Sequence, residues 1–116
     1  MVIEVIPQQG YSVEIPPLLP SRVERLMAAR ELIEDEANWC INVLENEKGQ
    51  KCALGAAIRA DRRADHRGFR DTTACVLQYY SRALFNTGVV SVNDMHGHAA
   101  IMRLFDYAIE QELKHE

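Results

Sequence analysis

Apolar and polar positions alternate over residues 2–6, VIEVI, and again over 11–15, YSVEI, with the turn-forming PQQG between them. Side chains of a strand alternate between two faces, so this pattern predicts an extended arm or a β-hairpin. PPLLP at 16–20 predicts a stiff polyproline-like connector, and its Pro17–Pro20 spacing also fits a PxxP ligand. The period changes at Ser21. Ser21 and Glu24 spell a capping box directly before an apolar pattern. Val23, Leu26, Met27, Arg30, Ile33 and Ala37 then recur along one helical stripe, in which only Arg30 is polar. Arg30 and Glu34 are spaced for an i,i+4 ion pair, and Asn38 marks the stop.

Trp39, Ile41, Val43 and Glu45 read as a short strand closed by the turn NEKGQ, where Gly49 can take positive φ. From Cys52, the run CALGAAI predicts a helix despite Gly55, which costs about 1 kcal/mol against alanine in a helix interior. A glycine set among alanines signals that another backbone approaches closely, so this helix is expected at the centre. RADRRADHRGFR over 59–70 reads as a loop or a frayed helix end. Asp71 or Thr72 caps the next helix, whose apolar face is Val76, Leu77, Tyr80, Ala83 and Leu84. Asn86-Thr87-Gly88 ends it, with Gly88 as the left-handed residue. Residues 89–92, VVSV, read as a strand. The last helix spans about 97–113, with Ile101, Leu104, Phe105, Ala108 and Ile109 inward.

These elements imply a mainly α fold, loosely α+β: four helices, with the CALGA helix buried at the middle, and a small sheet or hairpin from the short strands. Residues 1–20 form an extended arm or hairpin and a Pro-rich connector; residues 21–116 form one mainly helical domain. A length of 116 residues suits one domain, and a hydrophobic fraction of 47% with 26% charged residues is ordinary for a globular protein. No run approaches the roughly 18 apolar residues that span a bilayer. Glu4 and the lack of a basic n-region argue against a signal peptide. A cytoplasmic location is therefore expected, with no membrane partner.

Charge changes the picture locally. The net value of −4 argues against general nucleic-acid binding. Yet residues 59–70 hold five arginines against two aspartates, while residues 31–36, ELIEDE, hold four acids. Arg62, Arg63 and Arg67 are candidate ligands for an anion, an acidic partner or the acidic first helix of another copy; otherwise the stretch is a solvated face. Three cysteines, Cys40, Cys52 and Cys75, are an odd number without a CxxC pair and read as buried thiols.

Candidate chemistry concentrates in Asn93-Asp94-Met95-His96-Gly97-His98. Asn93 and Asp94 suit a helix N-terminus, where side-chain oxygens accept from unpaired N–H groups. His98 precedes Ile101 by three positions and is expected to face inward with a hydrogen-bond partner. The same types allow two sharper readings. Cys52 before a helix is a candidate thiol nucleophile, with His98 as base and Asp94 or Asn93 orienting it. Asp94, His96 and His98 could contribute to a metal site, but no second cluster has familiar zinc spacing, so no metal or other cofactor is assigned. Trp39 is a core anchor or the wall of a pocket near Asn93 and Asp94.

The order Trp39, Gly49, Cys52-Ala53-Leu54-Gly55-Ala56, Asn93-Asp94 and Leu104-Phe105-Asp106-Tyr107-Ala108-Ile109 resembles a family of small bacterial proteins of unknown function, over roughly residues 22–113. The resemblance implies a bacterial, mostly helical domain and supplies no reaction or substrate. It puts Trp39, Cys52, Asn93 and Asp94 forward together, as a shared pocket or polar network in which His96 is a further candidate. Three functions follow: a non-enzymatic binding or protein-interaction module that self-associates, first as a dimer; a small thiol hydrolase or transferase using Cys52 and His98; or a metal- or anion-binding domain.

Overall fold

The computed structural model describes residues 21–62 and 68–115. The predicted arm, hairpin and connector over 1–20, like Arg63 and Arg67, lie outside them. Five α-helices are described: α1 (Arg22–Ile33), α2 (Ala53–Asp61), α3 (Thr73–Phe85), α4 (Val89–Ser91) and α5 (His98–Leu113). The mainly helical architecture is as expected, and no described helix is long and apolar enough to cross a membrane.

α1 starts at the predicted capping box. Ser21 Oγ accepts from Glu24 N–H at 3.0 Å, and Ser21 N–H donates back to Glu24 Oε1 at 3.3 Å. The helix stops at Ile33, before Asn38, because Asp35 turns extended and its carboxylate caps a 3-10 turn, Glu36–Asn38, by accepting from Ala37 N–H. The inward stripe is rotated from the expected one. Val23, Leu26, Ala29 and Ile33 are buried, while Met27 is 54% exposed and Ala37 is exposed. Arg25, fully buried, shares that face. Its Nη2 donates to the Asp71 carbonyl at 2.6 Å and lies 3.2 Å from the Asp71 carboxylate. Arg22 Nε binds the same carboxylate at 2.9 Å. This pairing lets a charge enter the core, where an unpaired one would be prohibitive.

α2 buries Ala53, Gly55, Ala56, Ala57 and Ala60. These small side chains let α1 and α3 pack closely on it. α5 lies mainly against α1 and α3, burying Ile101, Leu104, Phe105 and Ala108. The side chain of Thr72 caps α3 by accepting from Cys75 N–H, and the Asp61 carboxylate accepts from Thr73 N–H at 2.8 Å. α3 faces inward with Val76, Leu77 and Tyr80, whereas Ala83 is exposed. Asn86, not Gly88, takes the left-handed position (φ 59) that ends α3. Its amide can bond locally, which makes Asn the usual substitute for Gly there.

The predicted small sheet does not form among the described residues. Two isolated bridges occur, Trp39 with Lys51 and Glu45 with Lys51, and they meet at one residue, so no ladder extends. Asn42 at φ 73 bends the chain out of any strand between them. The VVSV run is helical: α4 leads directly into a π-helical turn, Val92–His96. Val89 and Val92, three apart, are both fully buried, while Val90 between them is 47% exposed. A strand would send Val89 and Val92 to opposite faces; a helical turn sends both to the core. Tertiary packing thus overrides the β preference of valine.

Candidate functional site

The segment from 39 to 52, between the 3-10 turn and α2, is irregular yet extensively tied. Cys40 N–H donates to the Lys51 carbonyl and Lys51 N–H to the Asn38 carbonyl, both at 3.0 Å. Asn46 organises the tip. Its Oδ1 accepts from Lys48 N–H and Gln50 N–H, each at 3.0 Å, and its carbonyl accepts from Gly49 N–H. Gly49 takes the predicted positive φ, 81°. Cys52 N–H donates to the Leu44 carbonyl at 3.1 Å, which brings that carbonyl onto α2. A Cβ on Gly55 would lie 2.0 Å from Leu44 O, so only glycine fits this approach.

The π-helical turn aims a fully buried Asn93 into the middle of this segment. Asn93 Oδ1 accepts from Trp39 Nε1–H at 2.7 Å and from Ala53 N–H, in the first turn of α2, at 2.9 Å. Asn93 Nδ2–H donates to the Cys40 carbonyl at 3.1 Å and to Asp94 Oδ1 at 2.9 Å. Both acceptor lone pairs and both amide hydrogens are therefore used, the full capacity of the side chain. The same Asp94 oxygen accepts from Asn42 N–H at 3.1 Å, fixing the positive-φ residue. One amide and one carboxylate thus join the segment, the start of α2 and the π turn.

Cys52 is the N-cap of α2. Its sulfur accepts from Gly55 N–H at 3.3 Å, and the residue is 5% exposed. His98 is engaged elsewhere. Its Nε2 lies 2.7 Å from the Ile33 carbonyl, which can only accept, so Nε2 carries the proton and donates. The His98 ring stands edge-on to Trp39, with centroids 5.4 Å apart. His96 is exposed and stacks on Phe85 at 6.0 Å. The proposed base and nucleophile hence each have a structural partner. The metal candidates also diverge: Asp94 turns to Asn42, His96 to Phe85 and His98 to Ile33. Among the described residues, no three His, Cys, Asp or Glu side chains converge as a metal site would need. Cys40 donates to the Gln50 carbonyl at 3.3 Å. Burial pushes its thiol pKa up, and the nearby Cys52 and Asp94 add to the shift. Arg62 is exposed beyond the end of α2.

The alternation of apolar and polar positions does not announce the outward face of this region. The tied segment faces solvent with apolar side chains: Ile41 is 42% exposed, Val43 and Leu44 49% each, and Met95 on the π turn 80%. Val43, Leu44 and Val90 line a cleft of about 130 Å³ with Asn42, Cys52 and Asp94. The available signal was Asn42, a residue type common at positive φ, which breaks the alternation of Ile41 and Val43. Compared with known proteins, the chain matches no family model, no curated protein and no solved structure.

Proposed function

We propose that the protein is a non-enzymatic protein-interaction module that self-associates and presents the 41–44 segment, Val90 and Met95 as a binding epitope for a protein partner. The observation that carries this reading is the combination of a rigidly held loop with outward apolar side chains. An irregular segment gains nothing in folding from exposing Ile41, Val43 and Leu44 to water; an epitope pre-organised by buried hydrogen bonds gains affinity from them. Trp39, Asn93 and Asp94 act in this reading as the frame, and Cys52 as the helix cap that seats the frame on α2. Their meeting at one node also supports membership of the bacterial family with the Trp39, Cys52 and Asn93-Asp94 pattern. Three free thiols suit a reducing, cytoplasmic setting.

The test uses two baits, the wild-type protein and Leu44→Asp, each shown to be folded by circular dichroism. A partner retained by the first and lost by the second, and confirmed by titration of the purified pair, supports the reading. No retained protein, or the same protein on both baits, sinks it. Thiol labelling separates the enzymatic alternative. A capping, 5% exposed Cys52 should react with a disulfide reagent only as fast as the protein opens. Rapid labelling of Cys52 at neutral pH would favour a nucleophile instead.

A further inference from the structure

The base of the 39–52 segment places two thiols side by side. Lys51 bonds on both sides of Trp39, to the Asn38 carbonyl and from Cys40 N–H, each at 3.0 Å, which is one rung of a parallel ladder. Trp39 (φ −111, ψ 148) and Cys52 (φ −80, ψ 175) are both extended. Side chains alternate along extended chain, so Cys40 and Cys52, each one residue past the rung, leave on the same face. The next rung would join the Cys40 carbonyl to Ala53 N–H; the Asn93 amide bridges these two groups instead and keeps the chains together there. Paired chains lie about 4.8 Å apart, and a disulfide spans Cα separations of about 4.4–6.8 Å. Both cysteines also border one short stretch. Cys40 Sγ lies 3.3 Å from the Gln50 carbonyl and 3.7 Å from that of Val43, and Cys52 N–H bonds the next carbonyl, Leu44. Charge on Cys52 is felt at Cys40, where it adds to the effect of burial in raising the thiol pKa. Cys75, on α3 in a groove with Arg22 and Tyr79, is the odd thiol.

We propose that Cys40 and Cys52 are a dithiol–disulfide pair, a reversible modification site at the base of the loop that carries Ile41, Val43 and Leu44. Its oxidant is a low-molecular-weight disulfide such as oxidised glutathione. The thiolate of Cys40, the more exposed of the two, attacks one glutathione sulfur; a mixed disulfide forms and one glutathione leaves as its thiolate. The thiolate of Cys52, stabilised by Gly55 N–H at the start of α2, attacks the Cys40 sulfur and releases the second glutathione. The two protons lost by the cysteines end on the two glutathione thiols, and excess reduced glutathione reverses both steps. A raised thiol pKa makes the first attack slow, so the equilibrium is the quantity to read. Intracellular disulfides of this kind are transient and redox-sensing. The new bond replaces the weak thiol contacts to Gln50, Val43 and Gly55 with a covalent tie across the loop base. Its meaning for the loop rests on the proposed epitope, which lies inside the ring it closes; the bond itself does not.

The test equilibrates the wild-type protein and Cys75→Ser, checked for native helix content, in mixtures of reduced and oxidised glutathione, with and without urea. Products are mapped by peptide mass. In native buffer the wild-type protein should close the 40–52 bond and leave Cys75 outside it. The equilibrium constant for closing that bond should be at least about tenfold larger in native buffer than in urea, because the fold already holds the two cysteines together. A native constant equal to or below the one in urea overturns the pair. So do mixed glutathione disulfides at Cys40 and Cys52 in place of the bond. If the bond forms as expected and neither the reduced nor the oxidised protein retains a partner, the pair stands and the epitope reading falls.

Discussion

Asn93→Ala removes a side chain that holds two side chains, Trp39 and Asp94, and two backbone groups, of Ala53 and Cys40. The two N–H groups bonded to Asn93 Oδ1, from Trp39 at 2.7 Å and Ala53 at 2.9 Å, lose their acceptor. The Cys40 carbonyl and Asp94 lose a donor. A buried group left unsatisfied costs about 1–3 kcal/mol, and a typical hydrogen bond contributes about 0.5–1.5 kcal/mol net. Trp39 is only half-buried, so its indole can recover water, and Asp94 keeps its bond to Asn42. The Ala53 N–H and the Cys40 carbonyl carry most of the loss, which comes to about 3–5 kcal/mol. For a domain of this size that is a drop in melting temperature on the order of 10–20 °C. Asn93→Asp separates donors from acceptors. It keeps an oxygen for Trp39 and Ala53 but sets a second carboxylate oxygen against Asp94, where the amide donates at 2.9 Å. Two carboxylates so close cannot both ionise, so the introduced carboxyl has a folded pKa raised above its unfolded value of about 3.9. A raised pKa gives stability that is fully present below the unfolded value and is lost as pH rises through the folded one. The deficit of Asn93→Asp against wild type should therefore shrink on acidification, and by more than that of Asn93→Ala, which removes a donor from Asp94 without adding a carboxylate beside it. Urea denaturation read by circular dichroism and by the emission of Trp39, the single tryptophan, measures both. A loss below about 1 kcal/mol for Asn93→Ala, with unchanged Trp39 emission, would refute the node as the frame of the loop.

Two further perturbations test the packing around that frame. Gly55→Ala adds a methyl group 2.0 Å from Leu44 O, and displacing that carbonyl also breaks its bond to Cys52 N–H. Destabilisation above about 2 kcal/mol is expected in urea melts, against a helix-propensity gain of about 1 kcal/mol; a net gain would disprove the close approach. Tyr80 donates to Glu112 in the buried seam between α3 and α5, and burial, then the Glu112 hydrogen bond, push its pKa up to about 12. Because the folded value exceeds the unfolded one, of about 10, stability should fall as pH rises from 10 towards 12, and Tyr80→Phe should lack that leg. Identical alkaline profiles for the two proteins would contradict it.

Local features were legible in the sequence wherever the partner is near in the chain. The Ser21–Glu24 box and the Arg30–Glu34 pair join residues no more than four positions apart, and the positive φ of Gly49 belongs to a single residue. Gly55 was legible too, because its setting among Ala53, Ala56 and Ala57 implies a close approach, although nothing local names Leu44 as the approaching group. Pattern failed where long-range contacts decide. Arg25 can be buried only because Asp71 waits 46 positions away. His98 finds its acceptor on Ile33, 65 positions away, rather than orienting towards Cys52. The VVSV run misled because four residues fit both periods, and only burial of Val89 with Val92 selects the helical one. Asn93 and Asp94 show the same limit in its most informative form. Their types announced a polar anchor at a helix start, but the helix that Asn93 anchors is α2, 40 residues earlier, while Asp94 holds Asn42 and Asn93 itself. A residue that caps a distant helix through a π-helical turn holds two parts of the chain in register. That tie keeps an irregular, apolar-tipped loop in one shape, and fixing its shape before a partner arrives lowers the entropy lost on binding.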